Sequence, residues 1–416
     1  SAPRSGIRNA SLGEVGTTGS ISQTISGLLP GRNYTLNFWL SAGGGTPNSF
    51  VASFAGTQLL SITNTSGFAY TKYTYTVTAT GTSAALLFEG QHDPAFYRLD
   101  DVGLYFINPS AADTQTSLQD LADQLRGVYR LQNALVTNGH QNDCSVFDKH
   151  GFCVGLSGGY VATGGANTKP VTVTAAYRIN QYARMGVFVG QDLNSKLPSN
   201  FGLSSKNPFV GAFAAVQQNV NGKGWNARAS FGYHANDLSL TRTVFGTSEP
   251  GSGSASLVSK SVQGEVWYGF AVNPTTIVSP YAGIRYTNIS LGGYTEVASD
   301  TVTAPLTYSK LTQEQTTALA GVKGTSALTS KVALNWSAGA EYDLAFNGGT
   351  FNATGVDGLT SFDFNAATNK LRPSASAGIT YAPAHNHRLG VNLIYRRDAF
   401  SAKDTYASLA NYAVGF

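Results

Sequence analysis

Over residues 154–416, apolar and polar residues alternate along a series of short segments. In the segment SVQGEVWYGF, Val262 and Val266 fall on one face, whereas Gln263 and Glu265 fall on the other. A period of two residues predicts β-strands, because successive side chains of a strand point to opposite faces. The polar faces are rich in Gly, Ser, Asn, Arg and Glu instead of large aliphatic residues. This pattern favours a membrane barrel with a narrow, wet lumen over a soluble sandwich with a closed core.

Twelve such segments can be counted, an even number, as single-chain bacterial barrels require. Short connections follow the even-numbered segments, and long ones follow the third, fifth, seventh and ninth; GGANT and SAK are short exceptions after the first and eleventh. Outer-membrane barrels have short periplasmic turns and long extracellular loops. The sequence therefore predicts a twelve-stranded antiparallel transmembrane β-barrel over residues 141–416. Its strands begin near Val154, Lys169, Arg184, Phe209, Trp225, Lys260, Ile277, Tyr308, Val332, Leu371, Arg388 and Thr405.

Residues 1–109 and 113–138 follow two other patterns. The first range reads as short strands, such as SISQTI and NYTLNFWLSA, separated by Gly, Pro, Asn and Ser, which predicts a small β-sandwich. In the second range apolar residues recur at spacings of three and four, which predicts one helix with a single apolar stripe. We expect Asp113 or Thr114 to cap this helix and Gly139 to end it. The stripe consists of Leu118, Leu121, Leu125, Val128, Leu131 and Leu135.

Composition narrows the class of protein. Charged residues make up 12% of the chain, about half of the ~25% found in an average soluble protein. No apolar run reaches the ~18 residues that a membrane-spanning helix needs. A cytosolic enzyme and a helical membrane protein are therefore excluded. The net charge is only +4 and no basic cluster is evident, so we expect no nucleic-acid partner.

The two cysteines, Cys144 and Cys153, lie close together in CSVFDKHGFC. A zinc site with His140 and His150 is the alternative to a disulfide, but the spacings are unlike the common ones. A disulfide-closed loop is the favoured interpretation, and it predicts an oxidising compartment. No secretory signal precedes the sandwich, so we expect either that it has been removed or that the chain begins after it.

The sequence GLSGG satisfies the G-x-S-x-G pattern of hydrolases at Ser157. A nucleophile elbow needs a sharp turn between a strand and a helix, whereas Ser157 lies inside the first predicted barrel strand. We therefore expect no enzymatic activity. A barrel-embedded hydrolase that uses Ser157 remains the disfavoured reading.

Residues 113–416 resemble the C-terminal translocator of the type V autotransporter family, through LQDLADQLRGVYRLQNAL, SPYAGIRYTNISLGGYTE, TTALAGVK and NYAVGF in that order. The resemblance implies a Gram-negative outer membrane, with lipid around the barrel. It also implies a helix inside the barrel that joins an external passenger to the periplasmic start of the first strand. The final strand, with Tyr412, Val414 and Phe416 on one face, resembles the signal that the barrel-assembly machinery recognises.

The resemblance also assigns roles within the helix. Its leucine stripe would pack on the barrel wall, while Arg126 and Arg130 would face lumen carboxylates such as Glu265 or Glu341. Some autotransporters release their passenger by cleavage at paired asparagines in this helix. Asn133 stands alone here, so we expect the passenger to stay attached.

Residues 17–107 resemble a galactose-binding-like jelly roll of carbohydrate-binding proteins, through GSISQTISGLLPGRNYTLNFWLSAG, YTKYTYTVTAT and YRLDDVGLYF, although the strands that usually precede ISQTI are missing. The resemblance implies a structural calcium ion at Asp100 or Asp101, for which a solvated strand-end carboxylate is the favoured alternative. It also implies surface glycans as partners. Trp39 is expected in the core, and for His92 a plain turn is favoured over a ligand contact. The candidate ligand contacts are Tyr70, Tyr73, His92, Phe96 and Tyr97.

These patterns together predict three regions: a sandwich over residues 1–109, a linker and lumenal helix over 110–140, and a barrel over 141–416. The preferred function is a barrel that anchors the sandwich and displays it at the cell surface for adhesion or glycan binding, without a catalytic step. The alternative is a porin-like channel with an accessory N-terminal domain.

Overall fold

The computed structural model describes residues 3–106, 108–299, 301–366, 369–399 and 403–416. These residues form two compact units. The first unit contains residues 1–114 together with the short segments 244–250 and 298–304, and the second contains the remaining residues.

The first unit is a sandwich of two four-stranded antiparallel sheets, with strand orders β1-β8-β3-β6 and β2-β7-β4-β5. Phe38 from one sheet packs edge-on against Phe88 from the other, with ring centroids 5.1 Å apart. Both rings lie in one continuous apolar core between the sheets. The predicted β-sandwich is therefore confirmed. The strands are β1 (Ala10–Leu12), β2 (Gly19–Ser26), β3 (Asn33–Ala42), β4 (Asn48–Phe54), β5 (Thr57–Thr63), β6 (Phe68–Thr78), β7 (Ser83–His92) and β8 (Tyr97–Phe106).

Strand β3 corrects one expectation about the core. Phe38 and Leu40 are fully buried, whereas Trp39 between them is only half-buried. A strand that alternates can turn only one set of positions inward. Trp39 therefore lies on the outer face of its sheet, and its expected place in the core is wrong.

The second unit is a closed antiparallel barrel that encloses a helix, α1 (Ala111–Gly139), from Gln115 onward. Twelve strands form the ring in the order β9-β10-β11-β13-β14-β15-β16-β19-β20-β24-β25-β26, and β26 pairs with β9 to close it. The predicted strand number is therefore confirmed. The strands are β9 (Phe152–Thr163), β10 (Ala166–Asn180), β11 (Ala183–Lys196), β12 (Phe201–Leu203), β13 (Phe209–Gln217), β14 (Gly224–Thr241), β15 (Ser252–Asn273), β16 (Thr276–Leu291), β17 (Tyr294–Thr295), β18 (Thr307–Tyr308), β19 (Leu311–Ala327), β20 (Val332–Asn347), β21 (Thr350–Phe351), β22 (Ala353–Thr354), β23 (Phe362–Asp363), β24 (Leu371–Tyr381), β25 (His387–Arg397) and β26 (Asp404–Gly415).

The two rims of the barrel differ as predicted. The connections after β10, β13, β15, β19 and β24 are short and form what we call the turn rim, while the long connections lie on the opposite, loop rim. Three strand starts differ from the prediction by three residues or more. The second ring strand begins at Ala166 rather than Lys169. The sixth ring strand begins at Ser252 rather than Lys260, because SGSASLVS continues to pair with β14 although most of its residues are Ser, Gly or Ala. The eighth begins at Leu311, and Tyr308 belongs to the short strand β18. The predicted SAK connection includes positions 401 and 402, which lie outside the described residues.

The barrel wall is apolar outside and polar inside over most of its height. On β15, Val262 and Val266 are about half exposed on the outer wall, whereas Ser259 and Ser261 are completely buried on the inner one. Several tyrosines are also exposed on the outer wall, among them Tyr177, Tyr286, Tyr342 and Tyr381. This arrangement matches the predicted alternation.

Candidate functional site in the barrel lumen

Helix α1 begins with a cap that the sequence did not single out. The Asp113 N–H donates a hydrogen bond of 3.0 Å to Oγ of Ser110, so Ser110 is the N-cap in place of Asp113 or Thr114. The helix ends at Gly139 as predicted. Within the described part of the chain, no helix combines the length and apolar character needed to cross a membrane.

The predicted leucine stripe packs against the inner barrel wall. Leu118, Leu121 and Leu125 are completely buried in a cluster with inward-facing residues such as Leu238 and Leu257. The inner face of strand β14 changes along its length: it is polar near the turn rim and apolar near the loop rim. The wet lumen predicted from the sequence is therefore confined to part of the barrel, because the helix provides an apolar surface that the wall matches.

Tyr129 connects the helix to strands β16 and β19 of the barrel wall. Its hydroxyl donates to the Leu311 carbonyl at 3.0 Å and accepts from the Leu291 N–H at 3.1 Å. A buried tyrosine needs such partners for its polar end. Tyr129 follows Leu125 at a spacing of four residues, so the helical pattern contained a signal that could have identified it.

The C-terminal half of the helix makes polar contacts. Gln132 Oε1 lies 3.0 Å from Nδ1 of His234 and accepts from the Ser259 hydroxyl at 3.3 Å. Asn133 Nδ2 donates to the carboxylate of Asp398 at 3.3 Å. These side chains are buried, and each pair satisfies polar groups that burial would otherwise leave unpaired.

His140 ends this row of polar contacts just after the helix. Its Nδ1 and Nε2 each lie 2.8 Å from a serine hydroxyl, Ser230 and Ser261 respectively. A neutral imidazole donates from one nitrogen and accepts at the other, and serine hydroxyls can adopt either role. His140 is therefore a fully paired lumen residue.

Arg126 and Arg130 do not face the carboxylates expected for them. Arg126 pairs with Asp123 on the helix and donates to the Phe364 carbonyl at 2.5 Å. Arg130 donates to the Gly164 carbonyl at 3.2 Å. Both carbonyls belong to loop-rim connections. These carbonyls, and not the lumen carboxylates, lie within reach of the two arginines. The expectation for these two arginines is therefore wrong.

The lumen carboxylates have partners on the barrel wall instead. Glu341 on β20 accepts from Arg285 on β16 at 2.5 and 3.1 Å, and lies 2.9 Å from Nε of Arg396 on β25. Glu265 pairs with Lys323. Because buried charges are costly unless they are compensated, each carboxylate recruits a cation from a nearby strand.

A second buried pair also involves strand β20. Arg372 donates to Asp343 at 2.7 Å, and Gln315 donates to the same carboxylate at 2.6 Å. Arg372 and Asp343 lie on β24 and β20, which are separated in sequence by a long loop. No spacing in the sequence could have revealed this pair, because strand register decides it.

A polar cavity of about 680 Å³ lies beneath the end of the helix and extends towards the turn rim. Its walls include the charged groups Arg285, Glu341 and Arg396, as well as Lys323 and His140. The helix fills the loop-rim half of the lumen, and this cavity occupies part of the other half. The arrangement can hold water and ions. Ser157 lies within the paired strand β9, without the turn and helix of a nucleophile elbow.

The segment between the helix and β9 is anchored twice. Cys144 and Cys153 form a disulfide, which confirms the predicted bond over the zinc alternative. The carboxylate of Asp143 accepts from Nη2 and Nε of Arg184 at 2.6 and 3.1 Å. The chain therefore leaves the helix and reaches the first barrel strand along the turn-rim side of the wall.

The last strand presents the predicted outward face. Tyr412 and Phe416 are exposed on the outer wall, and Val414 between them is half-buried. The tyrosine hydroxyl lies 2.7 Å from Nδ1 of His387 on the neighbouring strand.

The candidate ligand contacts of the sandwich are not brought together. Tyr97 and His92 are completely buried, which corrects the expectation that they contact a ligand. The Tyr97 hydroxyl donates to Asn48 at 2.5 Å, and burial raises the pKa of Tyr97 to about 12. Tyr73 stacks on Phe38 at the edge of the core. In each case, strand alternation turns the side chain inward.

Two of the five candidates lie outside the apolar core of the sandwich. Phe96 is 47% exposed in the connection between β7 and β8. Tyr70 is half-buried, and its hydroxyl accepts from Nδ2 of Asn9 at 2.9 Å.

Asp100 and Asp101 do not fit a calcium ion. Their carboxylates accept hydrogen bonds from Arg4 and Ser5. Calcium takes six to eight oxygen ligands, and no group of three or more metal-binding side chains suitable for an ion is found among the described residues. The two aspartates therefore bind a segment of the chain itself, a contact that the sequence did not predict.

Removing the charge of Glu341 tests the cluster that it forms with Arg285 and Arg396. The Glu341→Gln variant would leave Arg285 and Arg396 without their shared counter-charge, so we expect the free energy of unfolding to fall by about 3 kcal/mol. Urea unfolding in detergent, followed by tryptophan fluorescence, measures this value. The exposed loop variant Asp357→Asn is the matched control, with an expected change within about 0.5 kcal/mol. Equal stability of the two variants would contradict the role of the cluster.

A known protein family matches most of the barrel. The model of the autotransporter beta-domain family matches residues 154–408. No curated protein matches the sequence. Among solved structures, the chain is similar to the translocator domain of the autotransporter NalP from Neisseria meningitidis, with 18% identity, a TM-score of 0.49, and coverage of 73% of this chain and 98% of that one.

Two further structures are similar. The beta domain of the Bordetella autotransporter Brka shares 14% identity, with a TM-score of 0.44 and coverage of 65% of this chain and 100% of that one. The transport unit of the autotransporter AIDA-I from Escherichia coli shares 11% identity, with a TM-score of 0.44 and coverage of 74% and 100%. Because the family match spans more than half of the chain, this protein belongs to the autotransporter beta-domain family, and its barrel is a translocator of the Gram-negative outer membrane.

Proposed function

We propose that the barrel anchors the sandwich in the outer membrane and displays it on the cell surface. The observation that carries this proposal is the direction of helix α1 in the lumen. Its Leu118 end packs with Leu306 and Phe351 of the loop-rim connections, while its other end leads through Asp143 to the start of β9 at the turn rim. Because short turns face the periplasm in outer-membrane barrels, residues before the helix leave the lumen on the outside.

The packing of the helix supports a plug rather than a porin-like channel. Leu121, Leu125 and Tyr129 fill the loop-rim half of the lumen with buried apolar surface, and a porin would leave that space to water. The function is then display, without a catalytic step.

The proposed function includes three classes of partner. Lipid surrounds the apolar outer wall, and the barrel-assembly machinery recognises the final strand with Tyr412, Val414 and Phe416. The sandwich contacts surface glycans for adhesion. The exposed ring of Phe96 supports the last role, because the apolar faces of sugars stack on aromatic rings.

Cysteine labelling tests the display. A Ser66→Cys variant, on an exposed loop of the sandwich, should react with a membrane-impermeant maleimide on whole cells. The matched control Ser330→Cys, on the turn rim, should react only after the outer membrane is permeabilised. Labelling of Ser330→Cys but not Ser66→Cys on intact cells would reverse the proposed orientation.

Planar-bilayer conductance tests the plug. The intact chain should show low conductance, and deletion of residues 113–138 should open a large, steady channel because the helix no longer fills the lumen. A large conductance by the intact chain that the deletion does not increase would instead support the porin-like alternative.

A glycan array probed with the detergent-solubilised chain tests the adhesion role. We expect Phe96→Ala to weaken binding to the best glycan about tenfold, because the stacking surface is lost. Tyr105→Ala, which removes another exposed ring of the sandwich, is the control and should bind normally. Absence of any bound glycan, or equal loss in both variants, would contradict this role for Phe96.

A further inference from the structure

A segment of the chain, residues 3–9, lies against the outer face of the β1-β8-β3-β6 sheet. The guanidinium carbon of Arg4 lies 3.7 Å from the centre of the Trp39 ring. This distance is well within the range of a cation–π contact. The half-buried indole that alternation turned outward is therefore covered by a cation from the same chain.

Two carboxylates complete the contact with Arg4. Its guanidinium pairs with Asp101, and its backbone N–H donates to Asp100 at 2.7 Å. The next residue, Ser5, donates its N–H to Asp100 at 3.3 Å and its hydroxyl to Asp101. The hydrogen bonds of Arg4 and Ser5 hold the pKa of Asp101 below its usual value. The two carboxylates therefore bind the backbone of this segment as well as its charged side chain.

A bulge in β8 brings the two carboxylates to the same segment. Regular alternation would turn Asp100 and Asp101 to opposite faces of the sheet. The pairing of β8 with β3 shifts register between Asn37 and Trp39, and Asp101 adopts a left-handed backbone with φ of 48°. Bulges commonly re-aim side chains at binding sites. The left-handed backbone of Asp101, which is unfavourable for a residue other than glycine, therefore occurs where its side chain contacts Arg4.

We propose that Trp39, Asp100 and Asp101, here called the Trp39 platform, form a binding site for an arginine in a peptide segment of a partner protein. An indole face and two carboxylates suit a planar guanidinium, which stacks on the ring and donates paired hydrogen bonds to carboxylates. Asp100 accepts hydrogen bonds from two backbone N–H groups, which favours a peptide over free arginine as the ligand. Residues 3–9 occupy the platform when the partner is absent, so the partner has to displace them. This site is independent of the proposed glycan contact at Phe96.

Competition with the chain's own segment provides the test. The probe is a fluorescent peptide with the sequence of residues 3–10, PRSGIRNA, and its anisotropy is measured with the full chain in detergent. We expect the Arg4→Ala protein to bind the peptide at least about tenfold more tightly than the unmodified protein, because its own segment holds the platform weakly. Arg8→Ala alters an exposed arginine of the same segment and should behave like the unmodified protein.

Changes in the peptide and in the Trp39 platform test whether binding depends on the arginine charge and on the platform side chains. A peptide with citrulline in place of its first arginine lacks the charge but keeps the shape, and it should bind at least about tenfold more weakly to the Arg4→Ala protein. Adding Asp101→Asn or Trp39→Leu to Arg4→Ala should cause a similar loss. The folding of each variant is checked by hydrogen exchange of the core strands β3 and β7.

Three results would overturn the proposal. The first is equal binding of the peptide by the unmodified and Arg4→Ala proteins. The second is retention of binding by the folded Arg4→Ala/Asp101→Asn protein or by the citrulline peptide. The third is displacement of the peptide by millimolar Ca²⁺, which would assign the carboxylates to a metal. Because the assay uses purified protein, failure of surface display would not alter its outcome.

Discussion

The pairing of β26 with β9 is the interaction on which the rest of the structure depends. It runs from Thr405 opposite Thr163 to Gly415 opposite Cys153 and closes twelve strands into a ring. An unpaired backbone group inside a bilayer has no water to bond with, so strands cross it only as a closed barrel. Closure directs alternate side chains inward along every strand. It therefore creates a lumen whose contents the protein has to supply.

Two kinds of packing fill that lumen. Near the loop rim, Leu118, Leu121 and Leu125 of the helix meet apolar wall residues, so burial of apolar surface holds the plug. Towards the turn rim, hydrogen bonds such as His140 to Ser230 and the charge cluster around Glu341 take over. The two regions cannot be exchanged by sliding the helix, because apolar and polar residues would then oppose each other. The helix is consequently held at one height.

The sequence predicted whatever depends on local periodicity. The twelve strands, the helix with its leucine stripe, and the outward face of Tyr412 and Phe416 all follow from spacings of two or of three and four residues. Predictions that needed a partner elsewhere in the chain were less successful. Arg126 and Arg130 bond to loop carbonyls rather than to lumen carboxylates, and Tyr97 lies in the core.

Alternation by itself determines which residues share a face of a strand, but it does not state which face is buried. Trp39 shows the limit, because only the packing of the two sheets decides that Phe38 and Leu40 turn inward. Asp100 and Asp101 show it further, since a bulge removes the alternation locally. The sequence alone determined a twelve-stranded barrel with a helix, because hydrophobic periodicity is a local property. Only the tertiary structure decided the charge pairs and the contacts of Arg4 with Trp39 and Asp101, because each joins groups that are far apart in the sequence and meet only when the strands pair.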